Sequence, residues 1–540
     1  MINNKNNYIN FGFSVLGAFL YSIAHPTRLN IQPLGPLFVF IGYLLISYST
    51  LNNEKKPVLQ ILLTYLCLYF FSLDWLASSL QILSPIPYFF CYIICFFWTF
   101  LLVPTLWFPY LWKINRKSPY LKNHSLIKNV VIPSFLFTFL ENFLSFNLEI
   151  FIGSSWLVYP DAAKSASILG PKYFSFLIFA SVFSILDILE SKKNQLTNVA
   201  QKKVIYIIFL TLLFYPIVIP ESIINKVVLD KHLKVRVIQP NSSNKRRLAA
   251  EKGKQNVIEE ILDDLIRLST IRENGNSLDL IIWPEVAYPY GLTLSEDKKS
   301  IKGGLPYTLQ RYFQKRQTPL IFGGYIKNET TKSKTYQDTF NSALFLSSFG
   351  ELKQYYHKHY FVPFGEEIPL IGHYQWVQKL FTSTSYFAKG EKFPTFKGPD
   401  SNNFITAMCF EVLFTSYIRN YLNQNKKNYP SFIINLTNDS WLLDSAGPKH
   451  HLFLTRWRAL EFKVPIIRAN NSGVSTIIFP DGSFGKAIPF DTSGYLDLSF
   501  RVDSKKSPTI YQKFGDAAYF VFIVLLSLVG LISNKKIRKI

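Results

Sequence analysis

Three residues with reactive side chains lie in or beside predicted strands. Cys409 follows the run 404–408, Glu285 follows the run 280–284, and Lys358 lies in a basic, aromatic strand. Side chains at strand ends leave the sheet and are free to meet a substrate. A thiol near helix N-terminal amides can have a lowered pKa, a desolvated carboxylate can accept a proton, and a lysine can face a developing oxyanion. These are the groups that an acyl transfer through a covalent intermediate needs.

Each of these residues also has an ordinary structural interpretation. An isolated cysteine is usually a small buried hydrophobic residue. Acidic residues are common in solvated loops, and a lysine on an aromatic strand usually extends its ammonium to water. The other cysteines, Cys67, Cys91 and Cys95, lie in apolar runs without a second CxxC pair, so they predict packing residues and neither disulfides nor a zinc site.

Histidines offer a weak alternative to this covalent chemistry. His357 and His359 are two residues apart on a predicted strand and would share a face, and His450 and His451 are adjacent. Neither pair has a third ligand at a suitable spacing, so the sequence predicts no metal and no cofactor.

The composition shows what must hold these residues in place. The chain has 540 residues, of which 49% are apolar, 16% are aromatic and only 17% are charged. About 25% charged residues is usual for soluble domains, and disorder requires low hydrophobicity, so the chain is neither wholly soluble nor disordered. Eight long apolar stretches occur at about Tyr8–Ala24, Leu34–Ser49, Val58–Leu73, Tyr88–Trp112, Val130–Ile152, Tyr173–Leu189, Val204–Ile219 and Ala517–Ser533. Each approaches the roughly 20 residues that cross a bilayer, which predicts about eight spans.

Positive charge alternates between the loops that join these stretches. Lysine and arginine concentrate after the second, fourth, sixth and eighth stretches, at Lys55, Lys56, Lys113, Arg116, Lys117, Lys122, Lys128, Lys192, Lys193, Lys202, Lys203, Lys535, Lys536, Arg538 and Lys539. Short basic loops stay cytoplasmic, so both termini are predicted to be cytoplasmic and the large domain to lie on the outer face. Much of the net charge of +23 is thus a topology signal, and nucleic acid is not a predicted partner. The first stretch lacks a convincing cleavage site and is interpreted as a retained span.

Between the seventh and eighth stretches the sequence changes to short β-branched runs separated by Gly, Asn, Asp and Pro. Strands are predicted at Lys234–Gln239, Leu278–Trp283, Pro319–Tyr325, Asn341–Ser347, Asn403–Cys409, Ser431–Leu436 and Ser475–Phe479, and helices at about Ala249–Ile271, Pro306–Gln314 and His450–Phe462. Hairpins are predicted at Gly350 and at Asp481-Gly482. This alternation predicts a layered α/β domain with a mixed sheet. We divide the chain into a membrane domain at 1–220, an outer domain at 221–510 and a last span with a basic tail at 511–540.

The motifs around the three reactive residues resemble one enzyme superfamily. They are Trp283-Pro284-Glu285, the stretch from Lys358 to Glu366, Cys409-Phe410-Glu411, the run 435–441, and a continuation through 447–448, His451, 458–461 and 468–473. Together they resemble the nitrilase, or carbon-nitrogen hydrolase, superfamily. With the apolar stretches, nearly the whole chain is similar to a membrane-embedded acyltransferase branch of it. The resemblance implies an α-helical membrane domain plus a nitrilase-like αββα sandwich.

The resemblance also implies roles for individual residues. Cys409 would be the nucleophile, Glu285 the general base, Lys358 the transition-state stabiliser and Glu366 a second essential carboxylate. The Phe410 amide would help to bind the oxyanion, and Glu411 and Trp441 would lie near the substrate. Many members have Gly at the position of Leu443, so the conformation of this loop, and with it substrate selectivity, is expected to differ here.

The implied substrates are lipids. A phospholipid would donate an acyl chain, and the acceptor would be the α-amine of a diacylglyceryl-modified apolipoprotein, at the outer face of a bacterial inner membrane. A membrane-tethered amidase that uses water as acceptor would need the same three residues. A non-catalytic binding protein would not need them, and a transporter would need more embedded charges than Asp74, Glu141 and Asp187.

Overall fold

The fold is described by a computed structural model of the chain. It describes residues 2–27, 29, 32–53, 57–83, 86–102, 104–117, 125–144, 151–194, 199–218, 231–271, 277–327, 339–363, 365–368, 371–372, 374–381, 384–442, 446–503 and 507–537. Leu443, the domain boundary predicted at 220–221 and the loop residues Lys55, Lys56 and Lys122 lie outside these ranges.

The N-terminal region is helical, and each of the eight predicted apolar stretches forms helix in its described part. The helices are α1 (Ile2–Ile23), α2 (Pro36–Asn52), α3 (Pro57–Leu68), α4 (Trp75–Leu83), α5 (Tyr88–Leu102), α6 (Phe108–Lys117), α7 (Ile132–Leu144), α8 (Pro160–Ala163), α9 (Ala166–Leu169), α10 (Lys172–Lys193) and α11 (Val199–Val218). A π-helical turn at Tyr69–Leu73 follows α3, and another at Ile127–Val131 precedes α7. α10 is the central helix, with most of its residues buried among the others.

The count of complete spans is lower than predicted. Among the described residues, α10 and α11 are long and apolar enough to cross a membrane, and residues 58–73 with 75–82 would add a third span although they bend by 62°. The stretch predicted at 88–112 is interrupted, because α5 ends at Leu102 and a short 3₁₀ turn beginning at Pro104 precedes α6. Proline cannot continue a helical hydrogen-bond ladder, which accounts for this interruption.

The outer domain contains two mixed sheets. Its strands are β1 (Lys231–Gln239), β2 (Leu280–Ile282), β3 (Tyr288–Thr293), β4 (Leu320–Lys327), β5 (Thr339–Leu346), β6 (Leu352–His357), β7 (Phe396–Lys397), β8 (Asn403–Met408), β9 (Phe432–Thr437), β10 (Ile466–Asn470), β11 (Ser475–Ile478), β12 (Phe484–Ile488) and β13 (Gly494–Val502). Within the described residues, the first sheet has the order β13-β1-β2-β4-β5-β6, with β3 beside β4, and the second has the order β12-β11-β10-β9-β8-β7. The predicted mixed sheet and both predicted hairpins are confirmed.

Alternate side chains of the first sheet face opposite layers. On β2, Leu280 and Ile282 join the core between the two sheets, and Ile281 joins a core on the other side of the sheet. The helices of this domain are α12 (Asn244–Glu251), α13 (Gln255–Thr270), α14 (Tyr307–Lys315), α15 (Gln375–Leu380), α16 (Thr415–Gln424) and α17 (Ala446–Phe462). α13 and α14 cover the first sheet, and α16 and α17 cover the second. The order of layers is therefore αββα, as the family resemblance implies.

The first and last strands of this domain lie side by side. β1 and β13 pair antiparallel from Lys231 with Val502 to Gln239 with Gly494. Helices α18 (Ile510–Phe514) and α19 (Asp516–Ile537) follow β13, and Tyr519 packs on Phe176 of α10 with 5.8 Å between the rings. Both ends of the domain therefore connect to the helical region.

Two local predictions need correction. The helix predicted at 249–271 is two helices, because Gly253 lies in a left-handed turn with φ of +82° between α12 and α13. The strand predicted to contain Lys358 ends at His357, so Lys358 is the first residue after β6.

Candidate active site

Glu285 lies in a tight turn immediately after β2. β2 ends at Ile282, Trp283 and Pro284 follow, and Val286, the residue after Glu285, has a φ of +53°. The neighbouring strand β4 passes so close that a Cβ on Gly323 would lie 2.6 Å from the Cα of Glu285. Glycine at 323 is therefore required for this close approach, which brings the carboxylate into the interior with only 5% of Glu285 exposed.

Lys358 joins Glu285 to Glu366. Its Nζ atom lies 3.0 Å from Oε1 of Glu285, 2.9 Å from Oε1 of Glu366 and 2.7 Å from Oε2 of Glu366. The Lys358 side chain is 1% exposed, so these charge-assisted hydrogen bonds form away from water. Lys358 therefore contacts both of the carboxylates to which the family resemblance gives roles.

Asn341 completes this cluster, although the sequence analysis did not single it out. Its Nδ2 atom donates hydrogen bonds to Oε1 of Glu285 at 2.9 Å and to Oε1 of Glu366 at 3.0 Å. Its backbone carbonyl accepts a hydrogen bond from the backbone amide of Lys358 at 2.9 Å. The available signal was a polar residue at the start of an apolar predicted strand. Asn341 holds the two carboxylates side by side despite their like charge.

The cluster shifts the pKa values of both Glu285 and Lys358. Burial raises the pKa of Glu285; the Lys358 ammonium opposes this shift and the Glu366 carboxylate adds to it. Burial alone would lower the pKa of Lys358, but the two carboxylates raise it well above its ordinary value. Lys358 therefore remains cationic at neutral pH, and Glu285 is the group in this cluster suited to accept a proton.

Cys409 lies where β8 gives way to a 3₁₀ turn, Cys409–Leu413. Its φ of +48° is left-handed, and only 1% of the residue is exposed. The lowered pKa considered for this thiol is not what the structure supports. Burial and the nearby Glu285 charge raise the pKa of Cys409, with Lys358 opposing them, so the thiol needs a base to become a nucleophile.

Glu411 connects the Cys409 turn to the end of β6. Its Oε2 atom accepts hydrogen bonds from the hydroxyl of Tyr356 and the backbone amide of Met408, both at 2.7 Å. Its Oε1 atom accepts hydrogen bonds from the backbone amides of His359 and Tyr360, at 2.6 and 3.1 Å. Burial raises the pKa of Glu411 to about 7, against the opposing effect of these donors. Glu411 therefore holds the Cys409 turn beside Lys358.

Phe410 and Trp441 occupy different surroundings. Phe410 is 8% exposed, and its ring packs edge-on against Phe414 with 5.1 Å between the centroids. Its role as an oxyanion donor stays a prediction. Trp441 is half-buried against an apolar cluster that includes Trp75 of α4 and Leu442. Trp441 therefore lies where the helical region meets the outer domain.

The described residues that could together ligate a metal are Cys409, Asp439 and His451, whose ligand atoms lie within 4.8 Å of one another. The carboxylate of Asp439 already contacts the guanidinium of Arg468 at 2.7 Å and His451 Nδ1 at 2.9 Å. Because this carboxylate has a cationic partner, we interpret the group as a hydrogen-bonded network. Sequence reasoning quoted His451 and Arg468 within a motif but gave them no separate role.

Residues 234–501 match the carbon-nitrogen hydrolase family. This part of the chain is thus a carbon-nitrogen hydrolase domain.

Curated relatives extend the similarity into the helical region. The chain is 28% identical over 449 residues to the apolipoprotein N-acyltransferase of Haemophilus ducreyi, covering 80% of this chain and 81% of that one. It is 28% identical over 311 residues to the apolipoprotein N-acyltransferase of Bdellovibrio bacteriovorus, which covers 56% of this chain and about half, 54%, of the relative. Among solved structures, an amidase from Nesterenkonia sp. matches with a TM-score of 0.35 at 15% identity, covering 55% of this chain and 98% of the amidase.

Proposed function

We propose that this protein transfers an acyl chain from a phospholipid, through a thioester on Cys409, to the α-amine of the N-terminal diacylglyceryl-cysteine of an apolipoprotein. The observation that carries the proposal is the buried cluster of Glu285, Lys358 and Glu366 at Cys409, in a domain joined at both ends to apolar helices. The names of the curated relatives support the choice of reaction.

In the first step Glu285 takes the proton from Cys409, and the sulfur attacks the carbonyl carbon of the phospholipid ester. The carbonyl oxygen becomes an oxyanion, which the Lys358 ammonium and the Phe410 amide stabilise. The carbon–oxygen bond then breaks, Glu285 returns the proton to the leaving oxygen, and a lysophospholipid departs. The acyl chain remains on sulfur as a thioester.

In the second step the α-amine of the acceptor attacks the thioester carbon. Glu285 accepts a proton from the amine, the carbon–sulfur bond breaks, and the thiol is restored as the amide forms. Two steps of moderate difficulty replace one direct transfer from ester to amine. Lys358 is not the base in either step, because its raised pKa keeps it protonated.

The helical region fits lipid substrates. We place the protein in the inner membrane of a bacterium, with both termini in the cytoplasm and the carbon-nitrogen hydrolase domain on the outer face. There the site meets acyl chains without removing them from the membrane. A membrane-tethered amidase with water as acceptor uses the same residues, so the fate of the acyl group distinguishes the two activities.

Mass spectrometry of Cys409 tests this proposal. When the purified protein receives phospholipid and no acceptor, the peptide bearing Cys409 should gain the mass of one acyl chain, and hydroxylamine at neutral pH should remove it. Cys409→Ala should abolish this adduct, and a matched variant with Ala at Cys67, Cys91 and Cys95 should retain it. Rapid release of free fatty acid without an adduct would favour the amidase, and an adduct in Cys409→Ala would overturn the assigned nucleophile.

A further inference from the structure

A buried polar network lies next to the backbone of Cys409 and is separate from the cluster of Glu285, Lys358 and Glu366. Its members are Asn435 on β9, Asp439 after that strand, His451 on α17 and Arg468 on β10. All four are buried, with Asn435, Asp439 and Arg468 fully enclosed. Polar side chains in such a position need partners, and these find them in one another.

The network ends on the backbone carbonyl of Cys409. The Nδ2 atom of Asn435 donates to this oxygen at 3.2 Å, and the Nε2 atom of His451 lies 3.2 Å from it. A carbonyl oxygen only accepts hydrogen bonds, so Nε2 of His451 carries the proton in this contact. Two side chains from different elements thus hold a single carbonyl.

One guanidinium orients both of these donors. Arg468 donates from Nη1 to Oδ1 of Asn435 at 2.7 Å and from Nη2 to Oδ2 of Asp439 at 2.7 Å. With the proton on Nε2, Nδ1 of His451 accepts from Nη2 of Arg468 at 3.1 Å, and Oδ1 of Asp439 lies 2.9 Å from the same nitrogen. Because β9 and β10 are parallel and Asn435 is the register partner of Arg468, the sheet itself aligns this chain of contacts.

Cys409 needs such support because its backbone conformation is unfavourable. A φ of +48° is one that residues with a Cβ rarely adopt, and it persists only where the surroundings enforce it. Turning the peptide back to an ordinary conformation would move both the carbonyl and the thiol. A hydrogen bond on the carbonyl therefore also sets where the sulfur points.

We infer that His451, oriented by Asp439 and Arg468, is a positioning residue that holds Cys409 in its left-handed conformation and so aims the thiol at Glu285 and the bound acyl carbonyl. This inference rests on the proposed function. His451 contacts the carbonyl of Cys409 and not the reacting atoms, so it contributes to alignment and not to proton transfer.

The test compares His451→Leu with His451→Gln. Leucine cannot donate a hydrogen bond, whereas the glutamine amide reaches and donates to a carbonyl. His451→Leu should lower the rate of acyl-enzyme formation on Cys409 about tenfold or more, a loss typical of misplaced reacting groups. The phospholipid concentration at half-maximal rate should stay unchanged, and His451→Gln should recover most of the rate.

His232→Gln is the control for replacing a histidine, because His232 lies on exposed β1 surface with its Nε2 atom 2.8 Å from Ser499 Oγ. The rate of acyl-enzyme formation in His232→Gln should match that of the wild type. If His451→Leu does not fold, the test compares the rates of acyl-enzyme formation in His451→Gln and His451→Asn. Asparagine is one methylene shorter than glutamine and should not reach the carbonyl, so His451→Asn should be the slower variant. Equal rates in those two variants, or a wild-type rate in a folded His451→Leu, would overturn the inference.

Alkylation of Cys409 by iodoacetamide separates this inference from the proposed function, because it requires no lipid. A wild-type protein that forms no acyl adduct would refute the function alone. The alkylation rate of Cys409 should still fall in His451→Leu and recover in His451→Gln. If alkylation is the same in all three proteins, the positioning role is wrong even where acyl transfer occurs.

Discussion

The ammonium of Lys358 lies between two carboxylates that Asn341 also contacts, in an interior where Lys358 is 1% exposed. Removing one partner from such a buried group leaves an uncompensated charge, which typically costs about 3–5 kcal/mol. Substitutions here should therefore preserve shape wherever a catalytic role is to be separated from a loss of folding.

Glu285→Gln should keep the fold and lose activity. The amide preserves the shape of the side chain, but it cannot accept the proton of Cys409, so we expect acyl-enzyme formation to fall by roughly 10² to 10⁴. The measurement is the rate of adduct formation on Cys409, together with thermal unfolding in detergent.

Glu367→Gln is the matched control for this change. Glu367 is a neighbouring acidic residue on the surface, 40% exposed and 2.6 Å from Lys389, and its substitution should change the rate little. A folded Glu285→Gln protein that acylates Cys409 as fast as Glu367→Gln does would remove Glu285 from the mechanism.

The pH dependence of kcat/KM should show the effect of the Glu366 carboxylate on the pKa of Glu285. Burial raises the pKa of Glu285, so the acid limb of kcat/KM, where Glu285 must lose a proton, should lie above the range of an ordinary glutamate. The Glu366 carboxylate adds to this shift by repelling ionised Glu285. In Glu366→Gln that repulsion is gone, the pKa of Glu285 falls, and the limb should move to lower pH. A limb that stays in place or moves upward would contradict this coupling.

The sequence predicted the reactive residues better than it predicted their partners. Glu285, Lys358, Glu366 and Cys409 were recognisable because each follows or lies within a distinctive motif. Asn341 was not, since a single amide at a strand end has no motif of its own. The raised pKa of the Cys409 thiol depends on burial, which appears only when the two sheets are packed together.

At the scale of elements, helix α4 joins the helical region to the candidate site. The chain bends by 62° between residues 58–73 and 75–82, at the π-helical turn before Trp75. The bend points Trp75 at the outer domain, where it packs near Leu442 and Gly447. Trp441, expected near the substrate, packs against the same apolar cluster.

Gly447→Ala should disturb this contact. A Cβ at that position would lie 2.9 Å from Cε3 of Trp75 and 3.0 Å from Cδ2 of Leu442, so the ring, the loop or both must shift. Overpacking of this kind costs about 1–3 kcal/mol, and we expect a lower unfolding temperature and slower acylation of Cys409.

Gly494→Ala is the control for adding a methyl group. At that position the nearest atom is Cγ2 of Ile488 at 3.8 Å, which is an ordinary contact. If Gly447→Ala and Gly494→Ala unfold and react alike, α4 has no part in shaping the site.

Most of the apolar strands were predicted from the sequence, and several other elements were missed. Apolar strands such as β4, β8 and β9 were found within a few residues of their observed bounds. β10 was missed because Arg468 and Asn470 interrupt its apolar residues. β13 was missed although its buried residues alternate with polar ones, which is the pattern of a half-buried strand. The bend before Trp75 was also missed, because the apolar run continues through the π-helical turn.

For the molecule as a whole, the alternation of charged loops predicts its orientation in the membrane. Cysteine introduced at Lys327, at the end of β4, should react with a membrane-impermeant thiol reagent added from outside. Cysteine at Lys117, at the end of α6, should react only after the membrane is permeabilised. A background with Ala at all four native cysteines, Cys67, Cys91, Cys95 and Cys409, leaves the introduced cysteine as the only thiol. The reverse labelling pattern would invert the proposed topology and remove the site from the outer face.

The antiparallel pairing of β1 with β13 has a consequence for the order of events during synthesis. β1 is made first, and its partner along its whole length emerges only after every other strand of the domain. Until then the first sheet presents an open edge, and open edges are prone to pair with other chains. Contacts this distant in sequence also form slowly. The nascent domain therefore spends most of its translation with an unprotected edge strand, and closure of the sheet coincides with delivery of α19 to its place against α10.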